Sequence, residues 1–155
     1  MEKYIGVKIV HAEPITRGDY NKFKGWTIPK NENPNDDGYL VKYNDDYISW
    51  CPKAEFEKAN RRTDGMTFGL AVESLKKGLK VARKGWNGKG MFVVYQKGYP
   101  QGIPSNKQTA EAWELNEGDL FICNPYLQIK NVDGSHSMWV PSINDVLAED
   151  WIIVD

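Results

Sequence analysis

A chain of 155 residues holds one ordinary domain or two small ones, since domains run to roughly 100–200 residues. Its 20 basic and 21 acidic residues leave a formal charge of −1, so no overall field draws it to nucleic acid or to an anionic membrane. MEKYIGVKIV is too poor in apolar residues for a signal-peptide core, and no run approaches the roughly 20 apolar residues of a membrane span, which places the protein in a cytoplasm.

In chain order, YIGVKIV sets Ile5, Val7 and Ile9 on one face and predicts a strand. A polar excursion follows, with KNENPNDDG a loop by its Asn, Asp, Pro and Gly. GYLVKY and YISW flank the turn-like NDD as a hairpin, and Pro52 opens the helical PKAEFEKAN. Charges balance here at eleven against eleven, His11 is isolated, and no catalytic constellation is present. Residues 1–64 therefore read as an accessory α+β module.

The chain breaks near ANRRTDGMTFG. Thr67 can cap a helix whose apolar Phe68, Ala71, Val72, Leu75 and Leu79 recur at helical spacing, and Gly78 supplies the stop. A strand in KVAR, the glycine-rich KGWNGKG and the β-prone MFVVY come next. Tyr99 to Gly118 reads as mostly loop, with TAEAWEL a helical turn. DLFIC, YLQIKNV and HSMWV are strands, the last two joined across the Asp-Gly turn of VDGS. Ser142 and Asp145 in SIND cap a short last helix, and WIIV ends as a strand. The fold class is α+β: residues 66–155 form a small antiparallel sheet packed with an N-terminal helix, preceded by the α+β leader module.

Aromatic residues make up 12% of the chain, including tryptophans at 26, 50, 86, 113, 139 and 151, and a small core that relies on large side chains accounts for most such rings. Two stretches ask for more. Between Lys76 and Lys97 lie seven basic residues and no acidic one, while Glu111, Glu114, Glu117 and Asp119 gather downstream. Trp86 sits in that basic run beside Gly85, Gly88 and Gly90, and glycine lets something approach the backbone closely. An indole with cations and backbone N–H groups suits a stacked base, its phosphates held by Arg83, Lys84 or Lys89. A tight hairpin whose Trp covers the core fits equally well. GWNGKG is no P-loop, lacking the four-residue spacer and the Ser or Thr after Lys.

The second stretch is WVPSINDVLAEDW. A capping box accounts for Ser142 and Asp145, but not for Asn144, Asp150, Trp139 and Trp151, whose amide, carboxylate and flat rings suit ribose hydroxyls and base edges. Catalysis finds less support. His11 and His136 lack a triad-like context, Cys51 and Cys123 stand singly as reduced thiols, no transition-metal set occurs, and no cofactor is expected. Nothing marks Asp145 and Asp150 as an acid/base pair.

Together, MTFGLAVESLKKGLKVARKGWNGKGMFV and PYLQIKNVDGSHSMWVPSINDVLAEDWIIV make Met66 to Val154 resemble the second type of phage-encoded Thoeris anti-defence protein. The resemblance does not extend to Tyr99–Gly118. It implies a sponge that binds glycocyclic ADP-ribose, the messenger of Thoeris immunity, without cleaving it, some relatives also holding cyclic dinucleotides. It implies homo-oligomers, commonly tetramers, with pockets at protomer interfaces, acting in the cytoplasm of the infected bacterium with no nucleic acid or membrane partner. Chemistry and the matching blocks give an expected ligand-binding set of Arg83, Trp86, Asn87, Trp139, Asn144, Asp145 and Asp150, with Ser142 and Trp151 structural. The alternatives are a nucleotide-processing enzyme and a virion or interaction module.

Overall fold

The computed structural model describes residues 1–155 and forms two compact units, Met1–Arg62 and Thr63–Asp155. Its helices and antiparallel sheets make an α+β fold. No helix is long and apolar enough to cross a membrane.

In the first unit, β1 (His11–Thr16), α1 (Arg17–Phe23), β2 (Asp37–Lys42), β3 (Ile48–Pro52) and α2 (Lys53–Ala59) follow in order. The strands form one antiparallel sheet in the order β1-β2-β3. Trp50 of β3 lies across Gly38 of β2, where any side chain would meet the indole, and donates its Nε1–H to the Ile15 carbonyl at 3.3 Å. Arg17 covers the same ring at 5.0 Å from its centroid and grips Glu32 through two nitrogens at 2.8 and 2.6 Å.

Two expectations are corrected here. YIGVKIV is not a strand: residues 1–10 carry no regular structure, and β1 begins at His11. The reason is register. His11 pairs with Lys42, β2 ends there in the Tyr43–Tyr47 turn, and no strand lies beside the residues before His11. The polar excursion holds α1, whose RGDYNKF lacks apolar periodicity but is capped by Thr16, which accepts from the Asp19 N–H. It buries Tyr20 and Asn21, the latter donating to Glu32.

The second unit runs α3 (Phe68–Lys76), β4 (Lys80–Arg83), β5 (Phe92–Gln96), β6 (Tyr99–Pro104), α4 (Lys107–Trp113), β7 (Leu120–Cys123), β8 (Tyr126–Lys130), β9 (His136–Trp139), α5 (Ile143–Val146) and β10 (Trp151–Val154). Five strands form an antiparallel sheet in the order β10-β4-β5-β8-β9. Thr67 caps α3 as the sequence predicts, accepting from the Leu70 N–H at 3.4 Å. The helix then lays Ala71 and Leu75 onto Val81, Val93 and Ile129 of the sheet, with Met66 and Trp151 completing the core. Met66 and Trp151 exchange both backbone hydrogen bonds, at 2.8 and 3.1 Å, so the chain entering α3 is tied to the strand that ends the unit.

Tyr99–Gly118 is more ordered than the expected loop. YPQGIP forms β6, paired with β7 from Tyr99↔Cys123 to Pro104↔Leu120 across a shift in register. Two prolines and a glycine hide this strand from propensity, and they are tolerated because a two-stranded ribbon consists only of edges. TAEAWEL falls largely within α4, capped by Asn106 and ended by Glu114 at φ 56°.

Leu75 is 1% exposed at the centre of this packing. Leu75→Ala should lower stability by about 2–5 kcal/mol, the usual result of emptying a buried leucine site. Urea unfolding followed by tryptophan fluorescence measures this; a loss below about 1 kcal/mol would mean that α3 does not close the sheet.

Candidate functional site

The site begins with strand geometry. β4 and β10 pair antiparallel with Arg83 opposite Trp151, which brings the start of the glycine-rich loop next to the end of WVPSINDVLAEDW. Lys84 donates its backbone N–H to the Asp150 carbonyl at 3.1 Å, carrying the pairing one step beyond the strands.

Arg83 lies between two carboxylates. Its Nε donates to Asp150 Oδ1 at 2.8 Å and its Nη1 to Asp145 Oδ1 at 3.0 Å. Asp145 is the buried member, 8% exposed, and both its oxygens are engaged. Oδ1 also accepts from the Trp86 indole N–H at 3.2 Å, and Oδ2 accepts from the Ser142 backbone N–H at 3.0 Å and its hydroxyl at 2.7 Å. Ser142 in return caps the Asp145 N–H at 3.2 Å, the capping box the sequence predicts. The Asp145 carbonyl takes the Trp151 indole N–H at 2.9 Å. One aspartate thus fixes an arginine, a helix start and two indoles.

Electrostatics follow from these partners. Burial alone would raise the Asp145 pKa, but hydrogen bonds from Ser142, Arg83 and Trp86 outweigh it and hold the carboxyl down to about 2. Arg83 and the Gly85 backbone N–H hold Asp150 below the usual carboxylate range. Asp150 first, then Asp145, raise the Arg83 pKa. One cation and two anions leave the cluster at net −1.

Above this clasp stand three indoles. Trp86, Trp139 and Trp151 contact one another edge to face, with centroids 5.5 to 6.1 Å apart. Trp151 is fully buried, whereas Trp86 and Trp139 are half-buried. Phe68 packs on Trp151 at 5.5 Å and on Trp139 at 6.5 Å. The sequence reading left Phe68 out of the site, although its place just after the Thr67 cap sets it in the helix's first turn.

The glycines of the loop have a structural explanation. At Gly85 a side chain would meet Asp150 Oδ2 at 2.8 Å, the oxygen that accepts the Gly85 N–H at the same distance. At Gly88 it would collide with Met91 and Val132. The close approach that glycine permits is therefore made at both positions by the protein's own side chains.

Of the expected set, Arg83, Trp86, Trp139, Asp145 and Asp150 come together, with Ser142 and Trp151 beneath them. Asn87 and Asn144 are exposed and form no side-chain hydrogen bond within the chain. Lys84 and Lys89 are exposed too, and neither forms an ion pair.

Residues 66–154, the stretch that builds this clasp and its indoles, match the Thoeris anti-defense 2-like domain. The chain belongs to that family. A relative named Thoeris anti-defense 2, from Bacillus phage SP01, is 41% identical over 92 residues, covering 57% of this chain and 94% of the relative. The aligned stretch thus takes in nearly the whole of that phage protein, whereas here residues 1–62 form a further unit.

The low Asp145 pKa gives the domain a pH signature. Its ionised form stabilises the fold above the ordinary carboxylate pKa near 4, and this is lost as pH falls from about 4 towards 2. The difference amounts to roughly 2 kcal/mol. Urea midpoints between pH 5 and pH 2.5 should fall more steeply for the wild type than for Asp145→Asn; parallel slopes would remove Asp145 from the account.

Proposed function

We propose that this protein is a sponge, which binds a cyclic nucleotide immune signal of the cyclic ADP-ribose type and holds it without cleaving it. Family membership supports an anti-defence role. The observation that carries the binding reading is the pair of half-buried indoles, Trp86 and Trp139, fixed beside a loop with two unpaired lysines. A fixed indole offers its face to a base, and stacking of this kind accepts any base.

Roles divide according to what is already engaged. Trp86 and Trp139 stack, Asn87 and Asn144 offer amides to ribose hydroxyls or base edges, and Lys84 and Lys89 take phosphate oxygens. The carboxylates of Asp145 and Asp150 are committed to Arg83, so we assign all three to holding the indoles in place, with Asp150 the more accessible. A phosphate belongs near the free lysines rather than the net-negative clasp.

The cover for such a ligand comes from a second protomer. Around the site, Val140 is 85% exposed, Met138 and Leu147 each 73%, and Ile143 68%, an apolar segment that a homo-oligomer would bury. An isologous interface places the same segment of a neighbour against it. This reading assigns binding to the C-terminal unit and leaves residues 1–64 as an accessory module.

Sequestration rather than turnover fits the same chemistry. Tight binding of a ground state does not accelerate a reaction, and neither carboxylate is poised near neutral pH to move a proton.

Two outcomes test this. Trp86→Ala should weaken binding of glycocyclic ADP-ribose by roughly 1–3 kcal/mol in calorimetry, the usual contribution of one stacked base, with the thermal transition retained. Wild-type affinity in the variant would make Trp86 a packing residue alone. Compound bound to the wild type, separated from excess and released by heat, should match the standard in mass and retention time; cleaved product that accumulates with incubation would replace the sponge with an enzyme.

A further inference from the structure

The N-terminal arm lies outside the family match and has no strand beside it in its own unit, which it touches through the Lys8 ammonium, 5.7 Å from the centroid of the Tyr43 ring. β1 pairs with β2 from Thr16↔Asp37 to His11↔Lys42, and Tyr43 then donates to the Tyr47 carbonyl at 2.9 Å to turn the chain back. Residues before His11 therefore run past the end of the sheet with no strand beside them. They are nonetheless strongly β-prone: Tyr4 to Val10 reads YIGVKIV, with three β-branched residues in alternation, a fourth at Val10, and no proline. Exposure falls along the arm, from 99% at Ile5 and 88% at Tyr4 to 37% at Val7, with Ile9 and Val10 half-buried, but no backbone of this segment is paired in a sheet. An unpaired, apolar, strand-forming segment is a template for another strand.

The sequence of the arm indicates which strand. Ile5-Gly6-Val7-Lys8-Ile9 is symmetric about Val7 in its apolar positions. We propose that residues 4–10 pair antiparallel with the same residues of a second copy, about a two-fold axis through Val7. Val7 then faces Val7, Ile5 faces Ile9 of the other copy, and Tyr4 faces Val10, so one face carries six β-branched side chains. Lys8 lies opposite Gly6, which keeps the two ammonium groups from facing each other. A slip of one residue sets Lys8 against Ile5 or Val7 and leaves one kind of apolar pair, Tyr4 with Ile9 or Ile5 with Val10, in place of three, so this register is the preferred one. In that register the ribbon runs from Glu2 to Ala12 and ends before Pro14, which has no N–H to offer an added strand.

The occupant is a second copy because the arm's complement is the arm itself, in equal number and in an isologous arrangement. The pairing is independent of the ligand reading and involves none of the residues assigned to it. Two strands alone are marginally stable, so the ribbon gains where the rest of the chain also brings copies together and raises their effective concentration.

Disulfide trapping in the full-length chain tests the register. With Cys51→Ser and Cys123→Ser as background, Val7→Cys places two thiols directly opposite each other, about 4.5–5.5 Å apart at Cβ, within small adjustments of disulfide geometry. Tyr4→Cys is the control. In the same ribbon its thiols lie six residues apart, about 20 Å. At micromolar protein under oxidised glutathione, Val7→Cys should form covalent dimer at least tenfold faster than Tyr4→Cys, with both melting as the background does. Equal rates would mean a flexible arm colliding at random, and no dimer from either would mean an arm that stays unpaired; each overturns the proposal.

Discussion

The Arg83 guanidinium, held between Asp145 and Asp150, is the interaction on which the rest of the second unit depends. It joins the end of β4 to both ends of the last six residues before β10, positions more than sixty residues away in sequence. Asp145 passes the constraint on: its carboxylate starts α5 through Ser142 and aims the Trp86 indole, and its carbonyl aims Trp151. Replacing such an ion pair with packed apolar residues is often neutral for stability, whereas removing one partner strands a charge. Here the pair also fixes the direction of the Trp86 indole N–H, which an apolar pair could not do.

The clasp decides what chemistry the surface can offer. Two aspartates beside aromatic rings suggest free acceptors when seen as letters, and a basic run suggests phosphate ligands. Folding consumes the arginine and both acids on each other and leaves rings, amides and lysines facing outward. That residue set has the chemistry for reversible stacking and hydrogen bonding that the proposed capture of a signal requires, in a chain whose family is named for anti-defence.

Much of this was legible in the sequence. Thr67, the helical spacing after it, the Asp-Gly turn and the Ser142–Asp145 box act over a few residues, so local patterns found α3, the β8–β9 hairpin and α5 in place. The two sequence blocks that carry the family resemblance are brought side by side by the structure. What was not legible were long-range partners. Gly85 signalled a close approach, but nothing local said that the approaching atom belongs to Asp150. β6 was hidden because its prolines and glycine are unfavourable for any strand except one in an edge-only ribbon. YIGVKIV has every local property of a strand and lacks only a neighbour, which no window of sequence can reveal.

The most direct test of the central claim is a double-mutant cycle on Arg83→Met and Asp145→Asn, read by urea unfolding of the full chain near neutral pH. If the clasp organises the unit as described, the two losses are strongly non-additive, with a coupling of about 1 kcal/mol or more. Losses that sum to within about 0.3–0.5 kcal/mol would show that the two side chains act independently, and would contradict the account.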